Sequence, residues 1–363
     1  MTATIPLGDL VEIKGGGTPS RAQSTFWDGP IPWATVKDFK TTTLDRTIET
    51  ITEAGLNNSS ANLIPAGSII VPTRMAVGKA AINNIDIAIN QDLKALLPNA
   101  AIDRRFLLHF LVSKSEFLNS RAQGATVKGI KLDVLRELPV PDLPTSEQQR
   151  IAAILDKADA IRRRREEALS LADAFLRSVF LDMFGDPVTN QRGYRQIPLG
   201  EIIKVSSGNG LTARMMDPEG KYPVYGGNGI NGCHAEYMFE EPQIVIGRVG
   251  VYCGAVHVSK PKSWITDNAL YVKEFRIPIN RTYLEWALRF ADLNQYAGRA
   301  AQPLISGSRI YPVEIVVPDD NEQAKFECVV HQHEELVASL RSASAKANDL
   351  FGSLAQRAFH GEL

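Results

Sequence analysis

The chain has 363 residues, 44% of them hydrophobic and 22% charged, with a formal net charge of −1. That length suits two domains plus connecting elements, and the composition is ordinary for a globular protein; no apolar run is long enough to cross a membrane, and the start "MTATIPLGDL" is expected to be no signal peptide. Three cysteines (Cys233, Cys253, Cys328) are too few and odd in number for a disulfide framework and suit a reducing cytoplasm, while near-neutral charge gives no compositional sign of nucleic-acid binding.

In chain order, residues 1–145 are rich in Gly, Pro and Asn, with short β-branched runs such as "SIIV" and one helical stretch, "RRFLLHFLVS" (104–113). This reads as a small α/β unit with long loops. After "LPTSEQQR", Thr145 or Ser146 can cap a helix with Glu147 in its first turn. Apolar residues follow at Ile151, Ile154, Ala158, Ile161, Ala168, Ala172, Phe175 and Val179, interrupted at Arg165. That heptad spacing predicts a coiled-coil seam on a helix of about 38 residues, about 57 Å long, stopped by Gly185 and Pro187. A second α/β unit occupies 187–320. A second long helix over 321–363 carries Leu336, Leu340, Ala343, Ala347, Leu350 and Leu354 and stops at Gly361.

The chain is written twice. "IPLG" at 5–8 recurs at 197–200, "GSIIVPTRMAVG" (67–78) is answered by "PQIVIGRVGVYCG" (242–254), and "INQDLKALL" (89–97) by "ITDNALYV" (265–272). "RRFLLHFLVS" matches "RTYLEWALRF" (281–290), and "LRELPVPDLPTSEQQR" (135–150) matches "PVEIVVPDDNEQAKF" (312–326). Each copy ends in a helix whose narrow apolar stripe must be covered, and the other copy's helix is the natural cover. The expected fold is α+β: two similar α/β domains, 1–145 and 187–320, separated by helices 146–186 and 321–363 forming an antiparallel coiled coil with pseudo-twofold symmetry. Such a spacer with two heads suits reading two spaced elements on a long ligand, of which duplex DNA is the commonest.

The stretches "GGGTPSR…FWDGPIPWATVKD" (15–38), "PVPDLPTSEQQRIAAILDKADAIRRR" (139–164), "LRSVFLDMFGDP" (176–187), "VIGRVGVYCGAVH…WITDNALYV" (245–272) and "SLAQRAFHGEL" (353–363) resemble the specificity (S) subunits of Type I restriction-modification systems, over essentially the whole chain. The resemblance implies a noncatalytic, cytoplasmic subunit in which each recognition domain reads one half of a split DNA sequence. The helices set the gap and dock modification (methyltransferase) subunits, and restriction subunits join that core. S-adenosylmethionine, ATP and Mg are then expected in the partner subunits, with no cofactor in this chain. The rival readings are a self-sufficient DNA methyltransferase or nuclease with a duplicated domain, and a noncatalytic protein-bridging scaffold.

Motifs for chemistry are sparse. "GGNGING" (226–232) holds Gly-x-Gly-x-x-Gly, but "CHAEYMFEEP" follows where a dinucleotide site needs a helix. No Walker sequence occurs, and Cys233, His234, Cys253 and His257 lack a Cys-x-x-Cys pair to organise zinc. "RRRR" (162–165) is a charged helix face. Trp33, Trp264 and Trp286 are expected to pack. Side chains able to contact bases and phosphates fall in the loops. In the first copy these are Lys14, Thr18, Ser20, Arg21, Lys37, Arg74, Lys79, Lys128 and Lys131. In the second they are Arg214, Tyr225, Asn228, Asn231, Arg248, Arg299, Gln302, Ser308 and Arg309. Arg74 and Arg248 are taken as counterparts, 174 residues apart. Each head carries a net +1 and the two helices −1 and −2, so partner subunits are expected to supply much of the basic clamp.

Overall fold

A computed structural model describes residues 3–124, 127–298 and 303–363. The chain divides into two compact units, residues 1–166 with 342–363, and residues 167–341.

In unit 1 the elements run β1 (Thr4–Pro6), α1 (Leu7–Leu10), β2 (Val11–Gly15), β3 (Trp27–Ala34), β4 (Thr43–Leu44), β5 (Glu49–Ile51), α2 (Glu53–Asn57) and β6 (Leu63–Ile64). They continue through β7 (Ile69–Pro72), β8 (Ala81–Asn83), β9 (Ile87–Ile89), β10 (Leu93–Pro98), α3 (Arg104–Ser113), α4 (Ser115–Arg121), α5 (Leu132–Arg136) and β11 (Pro139–Pro141). Helix α6 (Thr145–Phe184) is one continuous helix that passes from unit 1 into unit 2. Unit 2 follows with β12 (Arg195–Pro198), α7 (Leu199–Ile202), β13 (Ile203–Ser207), β14 (Tyr222–Gly226), β15 (Gly229–His234), β16 (Ile244–Gly247) and β17 (Val256–Val258). Then come β18 (Trp264–Ile265), β19 (Ala269–Phe275), α8 (Arg281–Phe290), α9 (Gly307–Ile310), β20 (Glu314–Val317) and α10 (Asp320–His360).

The main sheet of unit 1 is ordered β2-β10-β7-β8-β4 and that of unit 2 β13-β19-β16-β17. The second sheets are β5-β3-β9-β6 and β15-β14-β18, and each unit ties its first strand to its last, β1-β11 and β12-β20. In both second sheets one parallel pair sits beside an antiparallel one: Ala34 opposes Ile89 and Tyr225 opposes Ile265 in parallel. The strands are short because the apolar runs are short. "SIIV" and "IVI" are buried on both faces, as runs without alternation require.

Each core includes parts of both long helices. In unit 1, Ile151, Ala152 and Leu155 of α6 pack with Phe106 and Phe110 of α3 and with Ala355 and Ala358 of α10. Pairing there runs in opposite directions, with Arg150 reaching the Leu363 carbonyl and Arg162 lying over the Phe351 ring. In unit 2, Leu176, Phe180 and Phe184 pack with Phe326 and Val330 of α10 and with Tyr283 of α8. Phe180 stacks on Phe290 at 4.5 Å and meets Phe326 edge-on at 5.4 Å. Burying one such ring contributes about 1.5–3 kcal/mol. Gly185 and Gly361, at φ +75° each, end the two helices.

The seam lies one residue away from several expected positions. Ile151, Ala158, Ala172 and Ala347 are buried, and Ile154, Leu340 and Leu354 half-buried. Ile161, Phe175, Leu336 and Leu350 are instead about half exposed, at 48–55%. Their neighbours Leu155, Leu176, Val337, Ser344 and Phe351 hold the covered line. Several covered positions are small or polar: Gln148, Asp159, Gln323 and Ser344 are all buried. Asp159 is satisfied within its own helix by Arg162 and Arg163, at 2.7 and 3.0 Å.

The two buried glutamines do equivalent jobs. Gln148 accepts from Asp103 N–H (2.8 Å) and donates to the carbonyls of Ala101 and Leu143. Gln323 accepts from Asn280 N–H (2.9 Å) and donates to the Pro318 carbonyl. Asp103 and Asn280 are the N-caps of α3 and α8, so each glutamine fixes the start of the helix that lies on its sheet.

Candidate nucleic-acid interface

In unit 1 the loop "GGGTPSR" is held rigidly. A Cβ on Gly16 would sit 2.1 Å from the Ile89 carbonyl oxygen, so only glycine fits that approach. Trp33, buried, donates to Gly17 O at 3.0 Å, and Trp27 donates to Ser20 O at 3.1 Å. Arg21 lies 3.7 Å over the Trp27 ring and forms a two-pronged pair with Glu49, 2.5 and 3.0 Å. That hydrogen bonding holds the Glu49 carboxyl below its ordinary pKa and Arg21 above its own. Thr18 bonds Gln91, and Thr18, Ser20 and Arg21 are exposed on a surface that the tryptophans fix.

Beyond it, the connection from β3 to β5 forms a cleft of about 590 Å³ lined by Lys37, Lys40, Arg46, Thr41, Thr43 and Thr47. Its two acids, Asp38 and Asp45, also line it and are engaged by local donors. Asp38 accepts from the N–H groups of Thr35 and Ile48, and Asp45 accepts from Asn84 and Thr43. Among the described residues, Lys37, Lys40 and Arg46 form no ion pair. Three cations without ion-pair partners outnumber the two acids of the cleft, a lining that suits phosphate oxygens. Lys40 and Arg46 were not among the sequence candidates; they flank the threonine run 41–43.

A second basic cleft, about 370 Å³, is lined by Arg74, Arg121 and Lys131 around Gly129. Arg74 pairs with Asp92 at 3.4 Å, and Lys128 and Lys131 are exposed. Two candidates serve the scaffold in part: Lys79 donates to the Phe39 carbonyl at 3.1 Å, and Lys14 lies 3.7 Å from Glu12.

In unit 2, Gly208 is the counterpart of Gly16, with a Cβ position 2.2 Å from the Ile265 carbonyl oxygen. Trp264 donates to Asn209 O, holding the loop that leads to exposed Arg214. Asn228 and Asn231 are exposed on the tight β14–β15 hairpin. Ser308 and Arg309 are exposed, Ser308 bonding Ser306 at 2.9 Å, while Arg299 and Gln302 lie outside the described residues. Trp286 packs edge-on against Phe326. Cys253 is in the core with its thiol on the Arg248 carbonyl, away from any Cys–His grouping.

Two expectations are corrected. Tyr225 is buried, and its hydroxyl accepts from Lys260 N–H at 3.0 Å, because it fills the position that Ala34 takes in unit 1. Arg74 and Arg248 are not counterparts. Arg248 N–H donates to Asn268 O as Thr73 N–H donates to Asp92 O, and Ile305 N–H reaches Arg248 O as Ile130 N–H reaches Thr73 O. The counterpart of Arg74 is therefore Val249, each making the isolated bridge of its unit, to Gly129 and to Leu304. Arg248 is half-buried, donates to Ser207 Oγ and Asp267 O at 3.1 Å each, and leaves its buried Nε without a partner.

No helix is long and apolar enough to cross a membrane, and no group of three or more metal-ligating side chains occurs among the described residues. Residues 2–170 match the family model of the Type I restriction modification DNA specificity domain. The EcoprrI specificity subunit of Escherichia coli is 26% identical over 368 aligned positions, covering 94% of this chain and 89% of that one. The MjaIX specificity subunit of Methanocaldococcus jannaschii is 27% identical, over 57% of this chain and 52% of its own. The crystal structure of a Type I restriction-modification S subunit from M. genitalium matches with a TM-score of 0.63 at 17% identity, over 98% and 96% of the two chains. A chain from a structure on complex assembly and conformational transition of the type I system gives 0.61 at 18% identity, over 99% and 98%. At such identities the structural likeness speaks for the fold, and the sequence relatives speak for the family. Residues 2–170 thus match the Type I restriction modification DNA specificity domain, and over nearly its whole length the chain is similar to specificity subunits of Type I restriction-modification systems.

Proposed function

We propose that residues 1–145 and 187–320 are two target-recognition domains, each reading one half of a bipartite sequence in double-stranded DNA. The helices over 146–186 and 321–363 form the antiparallel coiled coil that sets the gap and docks modification subunits, with restriction subunits joining that assembly. The chain supplies no chemistry of its own: S-adenosylmethionine, ATP and Mg act in the partner subunits, in the cytoplasm. One observation carries this reading. Both units repeat one order of four main-sheet strands (β2-β10-β7-β8 and β13-β19-β16-β17) and the same buried glutamine clamp, yet their exposed loops carry unrelated side chains. A shared frame with divergent loops is what two readers of two different half-sites need. Phosphate contacts at Lys37, Lys40 and Arg46 position the first domain without reading sequence.

The test is to co-express the chain with its modification subunit and map methylated bases across the host genome. A motif in two parts with a fixed gap is expected. Methylation at a single uninterrupted motif, or by the purified chain alone with S-adenosylmethionine, contradicts it.

A further inference from the structure

The loops that follow β2 and β13 are fastened by one set of bonds. Gly17 N–H donates to the Ile89 carbonyl at 2.9 Å, and Asn209 N–H to the Ile265 carbonyl at 3.0 Å. An indole then holds the carbonyl of that same residue: Trp33 donates to Gly17 O at 3.0 Å, and Trp264 to Asn209 O at 3.2 Å. The two tryptophans belong to strands that are not counterparts, β3 and β18, so the bond is made twice by unrelated side chains. Pro19 and Leu211 are both buried, and a turn follows each. Gln23 N–H closes the first turn on Ser20 O at 3.2 Å, and Met215 N–H closes the second on Thr212 O at 2.9 Å. From Gly17 and Asn209 to Gln23 and Met215, every matched pair lies 192 residues apart.

The side chains that these turns present are alike in kind. Ser20 and Thr212 open the turns; both are exposed, and neither hydroxyl bonds another group among the described residues. Each turn adds one exposed arginine, Arg21 at its second position and Arg214 at its third. Arg214 forms no ion pair among the described residues. Arg21 gives Glu49 two of its five N–H donors, and its side chain remains 56% exposed. A hydroxyl and a guanidinium on a fixed turn are a donor set for phosphate oxygens. Two half-sites of a split target differ in their bases and share the sugar–phosphate backbone, so an outward chemistry common to both units matches the backbone.

We propose that the turns Ser20–Gln23 and Thr212–Met215 each seat one backbone phosphate of the duplex, through the Ser20 or Thr212 hydroxyl and the Arg21 or Arg214 guanidinium. This rests on the DNA-reading function proposed above and adds the contact by which each unit takes its register. Trp27 and Glu49 are positioning residues for Arg21.

The experiment binds the full chain, together with modification subunits, to duplexes enriched from a random-sequence pool on the unaltered complex. Arg214→Gln is compared with the unaltered chain. Arg21→Gln is compared in a Glu49→Gln background, so that an unpaired carboxylate does not mimic the loss. Each arginine replacement is expected to make the slope of log affinity against log salt shallower by about 0.9, the value for one phosphate, while Arg214→Lys retains the slope. Ser20→Ala and Thr212→Val should weaken binding about fivefold, the effect of one lost hydrogen bond, at an unchanged slope. Pools enriched on the arginine variants should return the motif that the unaltered complex selects. An unchanged slope at either arginine overturns the inference alone, as does a changed motif, which makes that arginine a reader of bases. Failure of the unaltered complex to enrich any duplex overturns the inference and the proposed function together.

Discussion

Units 1 and 2 share a frame and differ in what they hang on it. The main sheets share the order of four strands, unit 1 adding β4 at its edge, and the same glycine approach occurs at Gly16 and Gly208. Gln148 and Gln323 fasten the same helix starts. The difference lies in the connections that follow β3 and β14. From β3 to β5 unit 1 spends residues 35–48 and builds the cleft of Lys37, Lys40 and Arg46; from β14 to β15 unit 2 spends only Gly227 and Asn228. This shorter connection, together with the lack of elements matching α2 and β6 between β15 and β16, accompanies a fall in the numbering offset from 192 at β2/β13 to 176 at Ile89/Ile265. Groups that hold the backbone recur, and groups that face outward were free to change.

The largest expected effect tests the shared frame. Gly16→Val and Gly208→Val each force a side chain into a backbone carbonyl about 2 Å away and should destabilise their own unit by about 3 kcal/mol or more. Thermal unfolding followed by intrinsic fluorescence checks it; tolerance of either change means that the two approaches are not equivalent. Next, Gln148→Ala and Gln323→Ala each leave a half-buried N-cap N–H and a carbonyl, half-buried at Leu143 and buried at Pro318, unpaired, at up to about 1–3 kcal/mol per group. Chemical denaturation should show losses of similar size in the two variants. The smallest effect on stability, and the sharpest contrast between units, is the triple variant Lys37→Gln, Lys40→Gln, Arg46→Gln. Its melting temperature should be unchanged, while the slope of log affinity for duplex against log salt becomes shallower by about 2.7 if each cation meets one phosphate. An unchanged slope places those cations off the DNA.

The mixed helix-and-sheet character and the two long helices were legible in sequence because β-branched runs and a sustained helical period mark them locally. The seam was misread by one position because its covered residues include Gln148, Asp159, Gln323 and Ser344, whose burial depends on hydrogen bonds that no hydropathy pattern announces. Larger apolar neighbours such as Phe175 and Leu350 drew the line instead; Phe175 ends half exposed, stacked on His333. Tyr225 looked like a loop residue because glycines surround it, yet it sits in a parallel strand pair that is built from distant segments. Arg74 and Arg248 looked alike because both precede glycine turns, whereas backbone bonds set their true positions one residue apart. Pairing of exposed cations with acids is likewise decided by tertiary contact, which is why Arg21 and Glu49 were not recognised as one group.

The most direct measurement of two independent readers is a methylation map of a chain whose residues 1–145 are replaced by the matching segment of the Escherichia coli relative, co-expressed with the modification subunit. The half of the target read by unit 1 should change, with the other half and the gap retained. Simultaneous change of both halves, or of neither, contradicts a chain in which each unit reads its own part.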